Sequence, residues 1–182
     1  MLFFLAKACY HYKLASSDSQ ERVDQDYPFS VIRRQMDSFE PKIVAFCCNW
    51  SSYSGADLAD TPGIQRAPNI KVIRVMCSGR VNPLFVIKAF SIGADGVLVL
   101  GCHPGDCHYI EGNYKTMRRI PLLKKMLKQL GVEEERVRLE WVSASEGARF
   151  AELATSFTQS IRNLGPTRLS DLKQNSKEAK HG

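Results

Sequence analysis

Four short apolar runs recur along the middle of the chain, and longer amphipathic stretches lie between and after them. Short runs rich in Val, Ile and Leu predict strands that are buried on both faces of a sheet. The fourth run differs because its apolar and polar residues alternate, which is typical of a strand at a sheet edge. The predicted strands are residues 42–47, 70–76, 96–100 and 137–142.

A helical pattern follows each predicted strand, so the chain consists of four successive βα units. Asn82 and Pro83 favour a helix start as the N-cap and the first helical residue, and Gly131 and Gly165 favour helix ends. The pattern is weakest after the first strand. Such alternation predicts an α/β fold, with a parallel sheet that carries helices on both faces. The predicted helices are residues 54–60, 84–92, 114–130 and 148–164.

The length of 182 residues fits one domain with additional segments at its ends. We expect residues 41–165 to form this domain. Residues 1–40 lack the regular pattern and are expected to form an N-terminal extension, within which Met36 is a candidate for the true start. Residues 166–182 are rich in Lys, Ser, Asn and Gln, so we expect a mobile polar tail.

The composition excludes some classes of protein but does not identify a binding partner. Apolar residues make up 44% and charged residues 24%, which excludes a mainly disordered chain and a multi-span membrane protein. No apolar run is long enough for a membrane span or a secretory leader, so we expect a cytoplasmic protein. The net charge of +6 fits nucleic acid, an acidic protein or an anionic cofactor equally well.

Five of the six cysteines lie at or shortly after the carboxyl ends of the predicted strands, while Cys9 lies alone in the extension. The carboxyl ends of parallel strands meet at one edge of the sheet, where open α/β folds bind ligands. A single cysteine there would be an ordinary buried residue, but five from three strands predict a thiol-rich site. These candidates are Cys47, Cys48, Cys77, Cys102 and Cys107.

The thiols alone leave three kinds of site open. Thiolates bind iron–sulfur clusters, zinc or Cu(I), and a cluster needs four of the five available. Zinc could take Cys77, Cys102 and Cys107 together with His103 or His108, although the chain has no C-x₂-C pair. The third possibility is thiol redox chemistry at the neighbouring pair 47–48.

Several longer motifs carry a resemblance to a known family. They include Cys-Cys-Asn-Trp at 47–50, Gly-Ala-Asp-Leu-Ala at 55–59 and Arg-Val-Met-Cys-Ser-Gly-Arg-Val at 74–81. Gly-Ala-Asp-Gly-Val at 93–97 and Gly-Cys-His through Asp-Cys-His-Tyr at 101–109 complete the set. Over about residues 38–165 the chain resembles the delta, iron–sulfur subunit of methyl-viologen-reducing hydrogenase, a module that also occurs fused to the A-type subunit of heterodisulfide reductase.

The resemblance implies a non-catalytic electron-transfer subunit that holds a [2Fe–2S] cluster on four of the five cysteines. Its expected partners are a [NiFe] hydrogenase or a formate dehydrogenase, which supply electrons, and a heterodisulfide reductase A-like flavoprotein, which receives them. That flavoprotein bifurcates the electrons between ferredoxin and the heterodisulfide in methanogenesis. Nucleic acid is not among the implied partners.

Ser51 is the one departure from the family pattern, which has Cys-Cys-Asn-Trp-Cys at this point. The serine replaces a possible ligand, so which four cysteines bind stays open. Cys47 and Cys48 would point to opposite faces of an extended strand, so only one of them is expected to reach the cluster directly. The alternatives are a thiol-based redox enzyme or sensor that uses Cys47 and Cys48, and a zinc-stabilised interaction module.

Overall fold

In the computed structural model the described residues are 39–61, 64 and 67–167, and they alternate between strands and helices along the chain. The predictions made for residues 1–38 and 168–182 lie outside this part. The strands are β1 (Ile43–Cys48), β2 (Ile70–Val75), β3 (Gly96–Gly101) and β4 (Val137–Trp141). The helices are α1 (Ser52–Ala59), α2 (Pro83–Ser91), α3 (Gly112–Gln129) and α4 (Gly147–Leu164).

The four strands form one parallel sheet in the order β2-β1-β3-β4. Ile43 at the start of β1 lies opposite Ile70 of β2 and Gly96 of β3, so the three strands begin and end at the same level. The predicted α/β fold with a parallel sheet is therefore confirmed. Because β1 lies between β2 and β3, the carboxyl ends of the three cysteine-bearing strands are immediate neighbours.

Helices cover both faces of the sheet, as predicted. Leu98 and Leu100 of β3 belong to one buried cluster, which α1 and α4 complete with residues such as Ala56 and Phe157. Val97 and Val99 alternate with those leucines along β3, so their side chains enter the opposite cluster, to which α2 and α3 contribute. Burial on both faces explains why β3 has no polar side chain.

The two outer strands differ in how well the sequence predicted them. β4 is an edge strand, as its alternating pattern predicted. The prediction that β2 is buried on both faces is wrong, because β2 forms the other edge and exposes Lys71, Ile73 and Arg74. Its run of β-branched residues suits any strand, so composition could not separate an edge from a central position.

The helices agree with the predicted pattern apart from their ends. Asn82 caps α2 as expected, with its side chain accepting a hydrogen bond from the Leu84 N–H at 2.9 Å. α3 begins at Gly112, two residues before its predicted start, and this earlier turn matters for the site. Within the described ranges, no helix is both long and apolar enough to cross a membrane.

Candidate metal centre

Four cysteine side chains come together at the carboxyl end of the sheet. Cys48 is the last residue of β1, Cys77 follows β2 by two residues, and Cys102 directly follows β3. Cys107 lies further along the loop that leads into α3. All four are buried, with Cys107 the most exposed at 8%. The parallel strand order thus gathers thiols that are up to 59 positions apart in the sequence.

The four thiols are arranged as two close pairs. The Sγ atoms of Cys48 and Cys102 are 3.7 Å apart, and those of Cys77 and Cys107 are 3.9 Å apart. The pairs lie close to each other, since Cys77 interacts electrostatically with both Cys48 and Cys102. The structure therefore presents a single group of sulfurs made of two pairs.

Cys47 does not join this group. Its side chain is fully buried in the cluster of apolar residues under α1 and α4, and its Sγ lies 3.9 Å from the Ala45 carbonyl oxygen. Adjacent residues of a strand point to opposite faces, so Cys48 faces the other three thiols while Cys47 packs in the core. Of the five predicted site cysteines, the structure brings four together.

Burial disfavours the charged form of two of the thiols. It raises the pKa of Cys48 to about 11, with the neighbouring Cys102 adding to the effect and the Trp50 N–H opposing it. Burial likewise raises the pKa of Cys77, with Cys107 adding to it and the Gly79 N–H opposing it. A metal ion would supply the positive charge that these sulfurs need in order to lose their protons.

Cys107 has a different environment at the start of α3. Burial acts to raise its pKa, but N–H groups of Asn113, Tyr109 and Gly112 point to the sulfur and lower it overall. These donors include the first residues of the helix, whose N–H groups have no partner within the helix. The N–H groups at the start of α3 therefore favour the thiolate form of Cys107, whereas burial opposes it at Cys48 and Cys77.

The first turn of α3 closes tightly around the second pair of thiols. A Cβ atom at Gly112 would collide with the Cys77 Sγ and lie 3.1 Å from the Cys107 Sγ. The adjacent Asn113 donates from its side-chain amide to the carbonyl oxygens of Cys102 and His103, at 3.2 and 2.7 Å. Neither residue was predicted from the sequence, although a Gly-Asn pair directly before an amphipathic pattern was the available signal.

The spacing of the sulfurs suits a centre with two metal ions better than a single ion. Two thiolates bound tetrahedrally to one ion at about 2.3 Å would have sulfurs roughly 3.8 Å apart, close to the spacing within each pair. Among the described residues, no three His, Cys, Asp or Glu side chains converge as a site for one ion. The donor set, two pairs of cysteine sulfurs, fits an iron–sulfur cluster.

The two histidines of the predicted zinc site have other neighbours. His103 Nε2 lies 2.7 Å from Glu146 Oε2, and the ring of His108 stacks on Trp50 with centroids 3.7 Å apart. Trp50 also donates from its indole N–H to the Tyr109 hydroxyl at 3.3 Å. These rings join the loop after β1 to the loop that carries Cys107, a role that the sequence did not reveal.

Two buried serines follow Cys48, and one of them holds the first pair of thiols in place. The Ser52 hydroxyl accepts a hydrogen bond from the Cys48 N–H at 2.8 Å and donates to the Leu100 carbonyl at 2.9 Å, which joins β1 to β3. Ser51 is also buried, but its hydroxyl has no hydrogen-bond partner among the described residues.

Residues 43–165 match the family described as methyl-viologen-reducing hydrogenase, delta subunit. The chain is 56% identical over 130 residues to an F420-non-reducing hydrogenase iron-sulfur subunit of Archaeoglobus profundus, across 71% of this chain and 95% of the relative. It is 53% identical over 135 residues to the F420-non-reducing hydrogenase vhc iron-sulfur subunit of Methanococcus voltae, across 74% and 94%.

A second kind of relative is a much larger protein. The A-type subunit of the ferredoxin:CoB-CoM heterodisulfide reductase of Methanosarcina mazei is 48% identical over 126 residues, which cover 69% of this chain but 16% of the relative. The module described above therefore occurs both as one segment of a longer chain and as a small separate subunit.

Proposed function

The chain belongs to the delta-subunit family of methyl-viologen-reducing hydrogenase, and we propose that it is an electron-transfer subunit that holds one [2Fe–2S] cluster. Cys48 and Cys102 bind one iron, and Cys77 and Cys107 bind the other. The observation that carries this proposal is the arrangement of four buried thiols as two pairs, 3.7 and 3.9 Å apart. Each iron of such a cluster takes two cysteine thiolates.

The subunit carries electrons and catalyses no reaction of its own. In this proposal a [NiFe] hydrogenase or a formate dehydrogenase reduces the cluster, which passes the electrons to a heterodisulfide reductase A-like flavoprotein in the cytoplasm. The flavin then bifurcates them between ferredoxin and the heterodisulfide. Support comes from the relatives, which are named as hydrogenase iron-sulfur subunits in one case and as part of a heterodisulfide reductase in the other.

Iron and sulfide analysis of anaerobically purified protein tests the cluster. We expect about two iron and about two acid-labile sulfide per chain, together with an EPR signal on reduction. Stoichiometric zinc in place of iron would overturn the proposal in favour of a zinc-stabilised module. Metal-free protein that is active in thiol exchange would favour the redox alternative at Cys47 and Cys48.

Single cysteine variants test the ligand assignment. Cys48→Ala, Cys77→Ala, Cys102→Ala and Cys107→Ala should each lose the cluster spectrum. Cys47→Ala is the matched control, because it removes a thiol of the adjacent strand position from the opposite face of the sheet. We expect that variant to keep its iron and its EPR signal. A cluster that survives any of the first four changes would show that the assignment is wrong at that position.

A further inference from the structure

Exposed apolar side chains surround the thiol site, and each lies within three residues of a cysteine of the two pairs. Met76 precedes Cys77, and its side chain is 53% exposed. In the other loops Trp50 is 47%, Tyr109 49% and Ile110 80% exposed. We name these four residues together with Arg80 the rim surface. Apolar groups gathered in this way around one site mark a contact surface for another protein.

The rim surface is continuous. One cleft beside the thiols is lined by residues that include Met76, Cys77, Arg80 and Tyr109. Trp50 extends it, since its indole N–H donates to the Tyr109 hydroxyl and the two rings meet edge to face at 6.5 Å. The cleft thus joins exposed apolar side chains to Cys77 of the second thiol pair.

Ile110 is held in a backbone conformation that disfavours it. Its φ is +67°, in the left-handed region, which β-branched residues rarely adopt because their Cβ substituents crowd the backbone. Its side chain is 80% exposed, so no contact with described residues buries it enough to offset this cost. Strain of this kind is found at functional sites. Contact between the Ile110 side chain and a partner protein would offset its cost.

The charged side chains that line the clefts beside the rim surface are positive. Arg80 and Lys115 line the cleft beside Cys77, and Arg80 and Arg119 line the neighbouring cleft, while no carboxylate of the described residues lines either one. Glu111 pairs with Lys115 at 3.5 Å, but both side chains are more than half exposed, so this pair screens the field only weakly. A partner that complements this surface carries carboxylates around an apolar contact.

We propose that the rim surface is the docking site for the acidic face of the flavoprotein that accepts the electrons, and that electrons leave through the Cys77–Cys107 side of the cluster. This inference rests on the proposed function. It goes further by choosing one side of the site: Cys77 lines the cleft, and Cys77 and Cys107 are 4% and 8% exposed, whereas Cys48 and Cys102 are 1% and 4% exposed. The second pair is therefore the more accessible one.

Small redox probes of opposite charge test the exit side without a protein partner. In single-turnover stopped flow, the reduced cluster gives one electron to ferricyanide, an anion, or to hexaammineruthenium(III), a cation, and the metal of the probe is reduced. Arg80→Glu should slow the reaction with ferricyanide at least about fivefold at low salt and accelerate the reaction with the cation. The matched control is Lys71→Glu, an exposed lysine of β2, which should change neither rate.

Equal rate changes in Arg80→Glu and Lys71→Glu would overturn the exit side, because net charge alone would then explain them. Iron and sulfide content are measured first in every variant. A wild-type chain without the cluster contradicts the proposed function, whereas loaded variants whose rates change equally contradict only this inference.

Co-expression with the heterodisulfide reductase A-like flavoprotein of the same organism tests the docking. Ile110→Gly should raise the thermal midpoint slightly, because glycine adopts a positive φ without strain, and should weaken binding about tenfold. Ile92→Gly is the control, since Ile92 is 66% exposed beside the amino end of β1.

Undiminished binding by Ile110→Gly, or no binding by the loaded wild-type chain, would overturn the proposal. So would a wild-type dimer that Ile110→Gly converts to a monomer, because the surface would then contact a second copy.

Discussion

Ser51 stands where the family pattern has a cysteine, in the turn that follows Cys48. The residue is 5% exposed, and its N–H donates to the Cys48 carbonyl at 3.3 Å while its hydroxyl has no partner in the described structure. A buried hydroxyl without a hydrogen bond costs about 1–3 kcal/mol. The position is therefore not optimised for stability, and in the proposed cluster the four paired thiols leave no ligand for it to supply.

We predict that Ser51→Cys leaves the iron content, the reduced-state EPR signal and the reduction potential essentially unchanged. The reason is that the two thiol pairs already provide the four ligands of the proposed cluster. A higher potential and slower cluster loss in air would instead show that Ser51 replaces a ligand.

Ser52→Ala provides the contrast at the next position. It would leave the Cys48 N–H and the Leu100 carbonyl without their hydroxyl partner, so the free energy of unfolding should fall by about 1–3 kcal/mol. Chemical denaturation of the two serine variants beside the wild-type chain measures the difference.

At the residue scale the sequence predicted the cysteines but not their surroundings. Strand ends can be recognised from apolar runs, and parallel order brings those ends together, so a gathering of thiols was predictable, but not that Cys47 would be the one of the five to pack in the core. Gly112 and Asn113 act through close approach to Cys77 and to the Cys102 carbonyl. Such contacts depend on where α3 starts in space, and helix ends are the least certain part of a sequence pattern.

At the scale of elements, Glu146 joins the loop after β3 to the start of α4. Its carboxylate accepts a hydrogen bond from the Ser143 N–H at 2.7 Å and lies 2.7 Å from His103 Nε2. These two contacts lower the pKa of Glu146 from 4.5 to about 2, because both favour its charged form. The ionised carboxylate thus stabilises the folded chain above the pKa it has when unfolded.

We predict that this contribution is complete above about pH 4.5 and is lost as the pH falls towards 2. Glu146→Gln should lower the thermal midpoint at pH 6, and the difference from the wild-type chain should shrink steadily below pH 4.5. Thermal unfolding followed by circular dichroism between pH 2 and pH 6 measures this. Glu152→Gln, an exposed position of α4, is the control and should show no such trend. A constant difference at all pH values would contradict the prediction.

The types of the elements were largely predictable, because strands and helices each have their own periodicity. The order of the strands in the sheet was not predictable. α1 has the weakest pattern and still forms, since Gly55 lets it approach the segment after β4 closely: a Cβ there would lie 2.9 Å from the Ser143 carbonyl oxygen. Tertiary contact of this kind overrides a weak local preference. The edge position of β2 likewise follows from strand order, which no local pattern specifies.

Across the whole molecule, the amino end of the sheet is held by Arg136. This side chain is fully buried and donates to the carbonyl oxygens of Asp95, Gly165 and Pro166 at 3.1, 3.0 and 3.3 Å. Its Nε lies 2.6 Å from a carboxylate oxygen of Glu133. One guanidinium thus ties together the segments before β3, before β4 and after α4.

We predict that Arg136→Met lowers the free energy of unfolding by about 3–5 kcal/mol. Its buried hydrogen bonds to the Asp95 and Gly165 carbonyl groups are lost, and the Pro166 carbonyl and the Glu133 carboxylate lose a donor as well. Chemical denaturation measures the change. Arg138→Met, two residues further on and within β4, should cost only about 1 kcal/mol, since Arg138 is partly exposed and bonds to Ser156 and Ser160. Equal losses in the two variants would contradict the role given to Arg136.

The two ends of the sheet should therefore respond differently when the proposed cluster is removed. At the carboxyl end, the thiols connect β1, the segment after β2, the end of β3 and the start of α3, and without a metal the raised pKa values of Cys48 and Cys77 leave those two thiols neutral and unbridged. We predict that anaerobic chelation of the iron increases amide hydrogen exchange in residues 76–81 and 101–113. Exchange around Arg136 should stay slow, because its hydrogen bonds do not involve the cluster.

Hydrogen exchange measured by mass spectrometry on loaded and chelated protein distinguishes the cases. A uniform increase along the chain would mean that the cluster supports the whole fold, and no increase would mean that the thiol pairs hold their positions without it.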